Sequence, residues 1–582
     1  MSEAVTTKPY KRKRKKTFLS NARKYAKRGY YGRGSHMDAD TYQYFVRILE
    51  VFKQGFENDE EKEIFVGNVF EQTENKEIDC SCNQVGCRVI EMLLPFANDH
   101  VIQRFITKFN EDIRPLSKDR FASFVLQTLV RISATKFFDT NTIVEQKENY
   151  KSFCIKTSKF LLNNLEDYIW DNFGNRIIRT CLCSLMQVPE EENIIKPLED
   201  IKCEAGLEIP DEFIEIVQEY GQRLIVWPQF NELCNLELTS GFLQVLLRVL
   251  KKADSKLLKA YLEKLLSGCF VSDTVDQENS KNLPPGFMSK SLLMLVETFI
   301  QVAGKKMFKK NLETMFKGRM LKLALLKSTH FSVQKVMKFC NNKEQFDPLF
   351  DELCDHLGEI IQKGYSSVVL ALAQSCQRLS TKQGTFIQSL IKALNCSDCE
   401  EYFAISCCRL LPYDKQNMPS NDGLQKEKLS LQGSLLLQTM LNFNKPIKIV
   451  NSLLSMDTND LKGLFSNPMG SHIVDSYVKA TYVGEKSREK LARKMQGTYQ
   501  ELAASKYGSR SFEAIWSVAN MKAKLHIMEE LSNKDGSWSN SEHGKIIAAK
   551  INLALYKRNK ENWKTSFNKG LNVTKVLEDI LN

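Results

Sequence analysis

Several things are missing from this 582-residue chain, and each absence closes a class of function. There is no run of about 18 apolar residues, which excludes a membrane-spanning helix. The first residues hold no apolar segment of the kind a secretory leader needs, so export is not expected. No Walker A loop, no GxGxxG between a strand and a helix, and no HExxH occurs. The seven histidines do not cluster with acids at metal-ligand spacing. The chain is therefore not expected to be an enzyme, nor to carry a cofactor or a metal. The sixteen cysteines are scattered through helical stretches without a disulfide framework, which fits a reducing compartment. Cys396 and Cys399 form a CxxC that can supply half of a zinc site. The nearby Cys407 and Cys408 are adjacent in an apolar helical run and point about 100° apart. Buried structural thiols are the expectation for this group.

Acidic residues are nearly absent from the first 36 positions. That segment holds twelve Lys/Arg and only Glu3 among the acids, so eleven of the chain's twelve net positive charges lie there. The remainder is almost neutral, and any polyanion-binding surface in it must come from arrangement instead of total charge. The stretch KPYKRKRKKTFLSNARKYAKRGYYGRG has little apolar periodicity, which predicts a disordered basic tail over 1–36. Its run Lys11-Arg12-Lys13-Arg14-Lys15-Lys16 fits a nuclear or nucleolar address, a nucleic-acid contact, or both.

What the sequence does contain is a repeat. A small or turn residue precedes an apolar helical run at Gly86, Ala122 and Gly174, then in weaker form at Thr239, Ser289, Thr329 and Tyr365. It returns clearly at Gly433, Gly470, Gly508 and Gly544, with spacings of 37, 38 and 36 residues. A fixed period of this size marks a solenoid. The expected organisation is a helical cap over 37–80, repeats 1–3 over 81–185 and an insertion or linker over 186–236. Repeats 4–7 with extra helical material follow over 237–410, then a loop over 411–428. Repeats 8–11 with a C-terminal cap fill 429–570, and 571–582 is a tail.

Counted from these anchors, apolar residues fall at +3, +4, +7 and +8, as in Val89, Ile90, Leu93 and Leu94 or Leu436, Leu437, Met440 and Leu441. At 100° per residue these positions form one stripe, which neighbouring repeats must bury. Positions +1, +2 and +5 are expected to project from the other side and pave a binding face. Trp170, Trp516 and Trp563 are expected in the core or its caps. The fold predicted is an all-α solenoid of about eleven repeats.

The pattern of a turn, Gly-Asn/Ser-x, two apolar residues and a polar residue, repeated about every 36 residues, resembles the Pumilio (PUF) repeat. With the basic tail and the segment YQYFVRILEVFKQGFENDEEKEIFVGNVFEQ before the first repeat, it is similar to the nucleolar protein 9 family over roughly residues 1–570. The resemblance implies a right-handed, curved (C- or U-shaped) solenoid, monomeric, in the nucleus and nucleolus. Its concave helix face would bind precursor ribosomal RNA in small-subunit (pre-18S) processing, within the small-subunit pre-ribosomal particle. In that family +1 and +5 contact a base edge and +2 stacks between bases. Carried onto this sequence, the RNA-binding residues are Cys87, Arg88 and Glu91; Ser123, Phe124 and Gln127; Asn175, Arg176 and Arg179; Ser240 and Gln244. They continue with His330, Phe331 and Gln334; Ser434 and Gln438; Ser471, His472 and Asp475; and Ser509, Arg510 and Glu513. The Ser/Gln pairs resemble adenine readers and Ser509/Glu513 a guanine reader, with Cys87/Glu91 close to it. No unit has the Asn/Gln pair used for uracil, so partial base readout combined with RNA shape and phosphate contacts is expected. Two other readings stay open: a HEAT- or armadillo-type protein scaffold, and a Pumilio-type regulator of messenger RNA.

Overall fold

A computed structural model describes residues 17–27, 29, 31–190, 208–271, 283–414, 429–533 and 537–565. Among these residues every regular element is a helix, and the sole β-type pairing is an isolated bridge between Gly34 and Asn83. The fold is an α-solenoid of PUF-type repeats. It divides into two compact units, residues 1–308 and 309–582.

A repeat consists of a short helix, a longer facing helix and a third helix. In the third repeat these are Leu165–Tyr168, Asn172–Leu185 and Asp211–Ile225. The facing helices of the first unit are Gln84–Leu93, Ala122–Phe138, Asn172–Leu185, Glu237–Ala253 and Lys290–Val302, each packed on the next. Those of the second unit are His330–Phe339, Ser366–Leu379, Leu431–Leu441, Ser471–Lys479, Gly508–Val518 and Glu542–Lys550, again packed in sequence. The apolar stripe does what its spacing requires: Val89, Ile90, Leu93, Leu94, Ile177, Ile178, Cys181 and Leu182 are fully buried, and so are Leu436, Leu437, Met440 and Leu441. Each such side chain contributes about 1.5–3 kcal/mol when removed from water.

Two positions lock the start of the facing helix. At anchor −3 a short polar side chain accepts from the backbone: Asp171 Oδ2 from Gly174 N at 2.7 Å, Asp119 Oδ1 from Ala122 N at 2.7 Å, and Ser541 Oγ from Gly544 N at 2.9 Å. Such N-caps satisfy amides that the helix itself leaves unpaired. At the anchor, a Cβ on Gly86, Gly470 or Gly544 would collide with the carbonyl six residues earlier, at the end of the short helix. Repeats 4 and 6 solve the corner differently. Their −3 residues are Leu236 and Leu326, and their anchors are Thr239 and Thr329. Each threonine turns its hydroxyl onto that same carbonyl, to Leu233 O at 2.8 Å and Leu323 O at 2.7 Å.

This rule corrects the fifth repeat. Ser289, expected as its anchor, is the −3 cap: its Oγ accepts from Leu292 N at 3.2 Å. Leu292 is the anchor, and the stripe becomes Leu295, Val296, Phe299 and Ile300, all at 2% exposure or less. The spacing to Thr329 becomes 37 residues. Other expectations change as well. The basic tail is not disordered throughout, because Phe18–Ala26 is a helix packed on Ala39–Gln54, with Ala22 buried and Arg23 paired to Glu50. The helix is amphipathic and N-capped by Thr17, a pattern hidden by its density of cations. In the 186–236 segment, Asp211–Ile225 and Phe230–Asn235 are ordinary repeat helices, burying Phe213, Ile216, Val217 and Tyr220. Residues 1–16, 191–207, most of the 411–428 loop and all of 571–582 lie outside the described residues.

Trp563 closes the last unit, buried, donating from Nε1 to Ile551 O at 2.8 Å and meeting Trp516 edge-on. Trp170, by contrast, is 37% exposed beside Trp227 and does not belong to the core. Cys396, Cys407 and Cys408 are buried, and the fifteen described cysteines are all free thiols. Among the described residues no helix is long and apolar enough to cross a membrane, and no group of His, Cys, Asp and Glu is placed to hold a metal.

Candidate nucleic-acid interface

The facing helices present three rows of side chains, and burial separates them. The +1 row lies beneath the surface. Cys87, Ser123, Asn175, Ser240, His330, Ser434 and Ser471 are all buried. Their polar atoms serve the fold: Ser240 Oγ donates to Ser291 O and Ser434 Oγ to Met469 O, both at 2.8 Å, and Cys87 Sγ to Phe121 O at 3.1 Å. In each case the acceptor is the carbonyl just before the next repeat's anchor, so +1 ties neighbouring facing helices together. Burial pushes the Cys87 thiol up to about 12, which keeps its proton available for that bond. Asn175 Nδ2 donates to Ile169 O at 2.7 Å, and the His330 ring stacks on Tyr365 with centroids 4.6 Å apart. Ser509 is half-buried and donates to Lys506 O at 3.0 Å. The expectation that +1 side chains project outward therefore differs from the structure, because most are buried, several of them bonded to backbone carbonyls of their own repeat or the next.

The +2 row is the outward one. Arg88, Arg176, Phe331, His472 and Arg510 are exposed, Phe331 by 56%. Phe124 is half-buried beneath Arg176, whose guanidinium carbon stands 5.8 Å from the ring centroid. This is the planar and cationic chemistry on which nucleobases stack. In repeat 4 the +2 residue is Gly241, and the missing side chain leaves room for Arg179 of repeat 3.

The +5 row is mixed. Gln244 Nε2 donates to Ser240 Oγ at 3.3 Å and Gln438 Nε2 to Ser434 Oγ at 3.0 Å, so the Ser/Gln pairs form inside single repeats. Gln127 and Gln244 are buried, whereas Gln334 and Gln438 are half-open, with Gln334 donating to Ser367 Oγ at 3.0 Å. The acids at +5 meet cations: Glu91 with Arg88 at 3.0 Å, Asp475 with Arg510 at 2.7 Å, and Glu513 with Lys550 at 2.9 Å. These pairs are partly or largely open to water and each is worth only about 0–1 kcal/mol, so an anionic ligand displaces them at small cost.

Sequence reasoning passed over a fourth position. Arg131 and Arg248 stand at +9 in repeats 2 and 4, flanking Cys183 at +9 in repeat 3. Arg131 reaches Thr180 Oγ1 at 3.5 Å and Glu190 at 2.7 Å, and Arg248 lines a cavity with Arg176 and Arg179. The signal was a lone arginine inside each of the apolar runs TLVRIS and LLRVL, in the same register.

Comparison with known proteins agrees with this architecture. Residues 75–546 match the model of the NOP9-like PUF repeat domain. Nucleolar protein 9 of Homo sapiens is 23% identical over 565 residues, spanning 91% of this chain and 88% of that protein. Pumilio homolog 23 of Arabidopsis thaliana is 22% identical over 559 residues, spanning 91% and 73%. The solved structure of APUM23-GGAGUUGACGG superposes with a TM-score of 0.70 at 20% identity, over 91% of this chain and 99% of that one, a likeness of fold. The chain belongs to the family of NOP9-like PUF repeat domain proteins.

Proposed function

We propose that this nucleolar, RNA-binding repeat protein binds precursor ribosomal RNA during maturation of the small ribosomal subunit. It acts on the pre-ribosomal particle as a monomer and catalyses no step itself. The observation that carries the reading is the +2 row, where planar or cationic side chains recur at one helical register and face solvent. Solved relatives such as APUM23-GGAGUUGACGG carry an RNA sequence in their names, and curated relatives carry the nucleolus in theirs. Because the +1 residues are buried or bonded to backbone carbonyls, base edges are met by +5 and stacking by +2. Such a surface tolerates several bases at each repeat, and phosphate contacts supply much of its affinity.

The test replaces Arg88, Arg176 and Arg510 together by Ala. Alanine keeps helix propensity, and all three side chains lie outside the buried stripe, so melting should be unchanged. Each lost stacking contact is worth on the order of 1–3 kcal/mol, so a small-subunit precursor RNA should bind at least about tenfold more weakly. A folded variant that binds like the parent would favour a protein scaffold. Crosslinking in cells should place the contacts on small-subunit precursor RNA. Contacts confined to messenger RNA would instead support a Pumilio-type regulator.

A further inference from the structure

The +9 arginines lead beyond base stacking. Arg176, Arg179 and Arg248, from repeats 3 and 4, line a cavity of about 210 Å³. Arg131 of repeat 2 stands at its edge, within 3.5 Å of Thr180 Oγ1 in the cavity wall. Four guanidinium groups from three successive repeats thus converge, Arg176 at +2, Arg179 at +5, and Arg131 and Arg248 one turn further along at +9. A carboxylate already sits among them. Glu190, just beyond the facing helix of repeat 3, accepts from Arg131 Nε at 2.8 Å on one oxygen and from Nη2 at 2.7 Å on the other. This two-oxygen fork is the geometry by which arginine also grips a phosphate.

We propose that this cavity is a seat for a backbone phosphate of single-stranded RNA, and that Glu190 occupies it when no RNA is bound. The proposal rests on the reading of the facing helices as an RNA-binding surface. Bases stacked on the +2 row leave their backbone running alongside, where Arg131 and Arg248 at +9 stand on either side of Cys183. Glu190 is a displaceable occupant. Its side chain is 33% exposed and that of Arg131 is 43% exposed, so water weakens their attraction. A phosphodiester brings the same pair of oxygens, and the stacked bases on either side hold it in place. The carboxylate thereby sets a threshold: short or unstacked anions do not displace it, whereas an RNA strand engaged on repeats 2–4 does.

The experiment titrates the full chain with a fluorescein-labelled single-stranded segment of small-subunit precursor RNA at two salt concentrations. The variants are Glu190→Gln, the pair Arg131→Ala with Arg248→Ala, and all three changes combined, each checked by its melting curve. Glu190→Gln should tighten binding about twofold to fivefold, the range that an ion pair open to water allows. The double arginine variant should weaken binding and flatten the slope of log affinity against log salt by about 0.7, one phosphate's worth on a single strand. In the combined variant the gain from Glu190→Gln should vanish, since both effects act through one contact. No gain from Glu190→Gln, or a gain that survives loss of the arginines, would overturn the proposal. Pyrophosphate binding, followed by calorimetry on the same four proteins, separates this failure from failure of the underlying reading. Arginine-dependent pyrophosphate binding that appears with Glu190→Gln, in a chain that ignores RNA, would retain the phosphate seat and sink the RNA reading. Loss of both sinks both.

Discussion

At the scale of single residues, the anchor and the position three before it act as a unit. A small anchor goes with a polar cap, as in Asp171 with Gly174 or Ser541 with Gly544, and a threonine anchor goes with leucine in the cap's place. Both arrangements meet the same carbonyl at the end of the short helix, one by leaving it room and the other by donating to it. This gives opposite outcomes for two Gly→Ala changes. Gly470→Ala pushes a methyl against Leu464 O and should lower stability by about 1–3 kcal/mol, the usual range for overpacking. Gly384→Ala, in a helix with open space around it, should raise stability by up to about 1 kcal/mol through helix propensity. Thr239→Val keeps the shape of the corner but loses the hydroxyl donor to Leu233 O, at a cost of about 1–3 kcal/mol. Melting of the three full-length variants checks all of this. A Gly470→Ala protein as stable as the parent would show that the corner has slack.

At the scale of helices, the chain closes its repeats with a second device. Near the end of the third helix of repeat 10, Glu530 accepts from Gly497 N and Tyr499 N, both at 2.8 Å, at the start of the short helix Tyr499–Ala504. Glu352 does the same in repeat 6, accepting from Gly318 N at 2.6 Å and Met320 N at 3.0 Å. Both glycines have positive φ, 88° and 75°, which turns their amides toward the acid. Burial raises the Glu530 pKa, partly offset by the amides it accepts from. The sign follows: its raised folded pKa favours the fold at low pH, and that contribution is lost as pH rises through this value. Glu530→Ala leaves two amides without an acceptor and should cost about 1–3 kcal/mol. Glu530→Gln keeps an acceptor and should flatten the dependence of melting on pH through the acidic range. An unchanged pH profile would mean that the group titrates as it does in the unfolded chain. The Glu530 and Glu352 contacts were not legible in the sequence, because each joins residues about thirty positions apart. The facing helices were legible, since the +3, +4, +7 and +8 stripe is local to each and recurs. The fifth repeat slipped by three residues because Leu292 and Leu293 imitate the stripe one turn early. Of the site, the outward +2 row could be read from the anchor alone. The burial of +1 could not, because the carbonyl that captures Ser240 or Ser434 belongs to the next repeat.

At the scale of the whole molecule, charge and folding are carried by different parts of the chain. Residues 1–36 hold eleven of the twelve net positive charges, and the N-terminal helix divides them. Residues 1–16 carry seven Lys/Arg and one acid, whereas residues 17–36 carry five Lys/Arg and include the helix Phe18–Ala26. That helix covers Tyr42, which is 1% exposed and donates its hydroxyl to Ala22 O at 3.4 Å. Two truncations should therefore behave differently. Deleting 1–16 should leave melting unchanged, reduce nucleolar accumulation, and weaken RNA binding at low salt regardless of sequence. The salt slope should flatten by about 0.7 for each tail cation that had met a phosphate. Deleting 1–36 should do all of this and also lower the melting temperature, because Tyr42 and its neighbours on Ala39–Gln54 lose their cover. Fluorescence microscopy of tagged chains, RNA titration at two salt concentrations, and melting curves read the three effects separately. Full nucleolar signal without 1–16 would place the address elsewhere in the chain. Equal melting of the two truncations would show that Phe18–Ala26 adds charge alone. The expectation is the reverse, since an amphipathic helix capped by Thr17 and seated on a buried tyrosine belongs to the fold as much as to the tail.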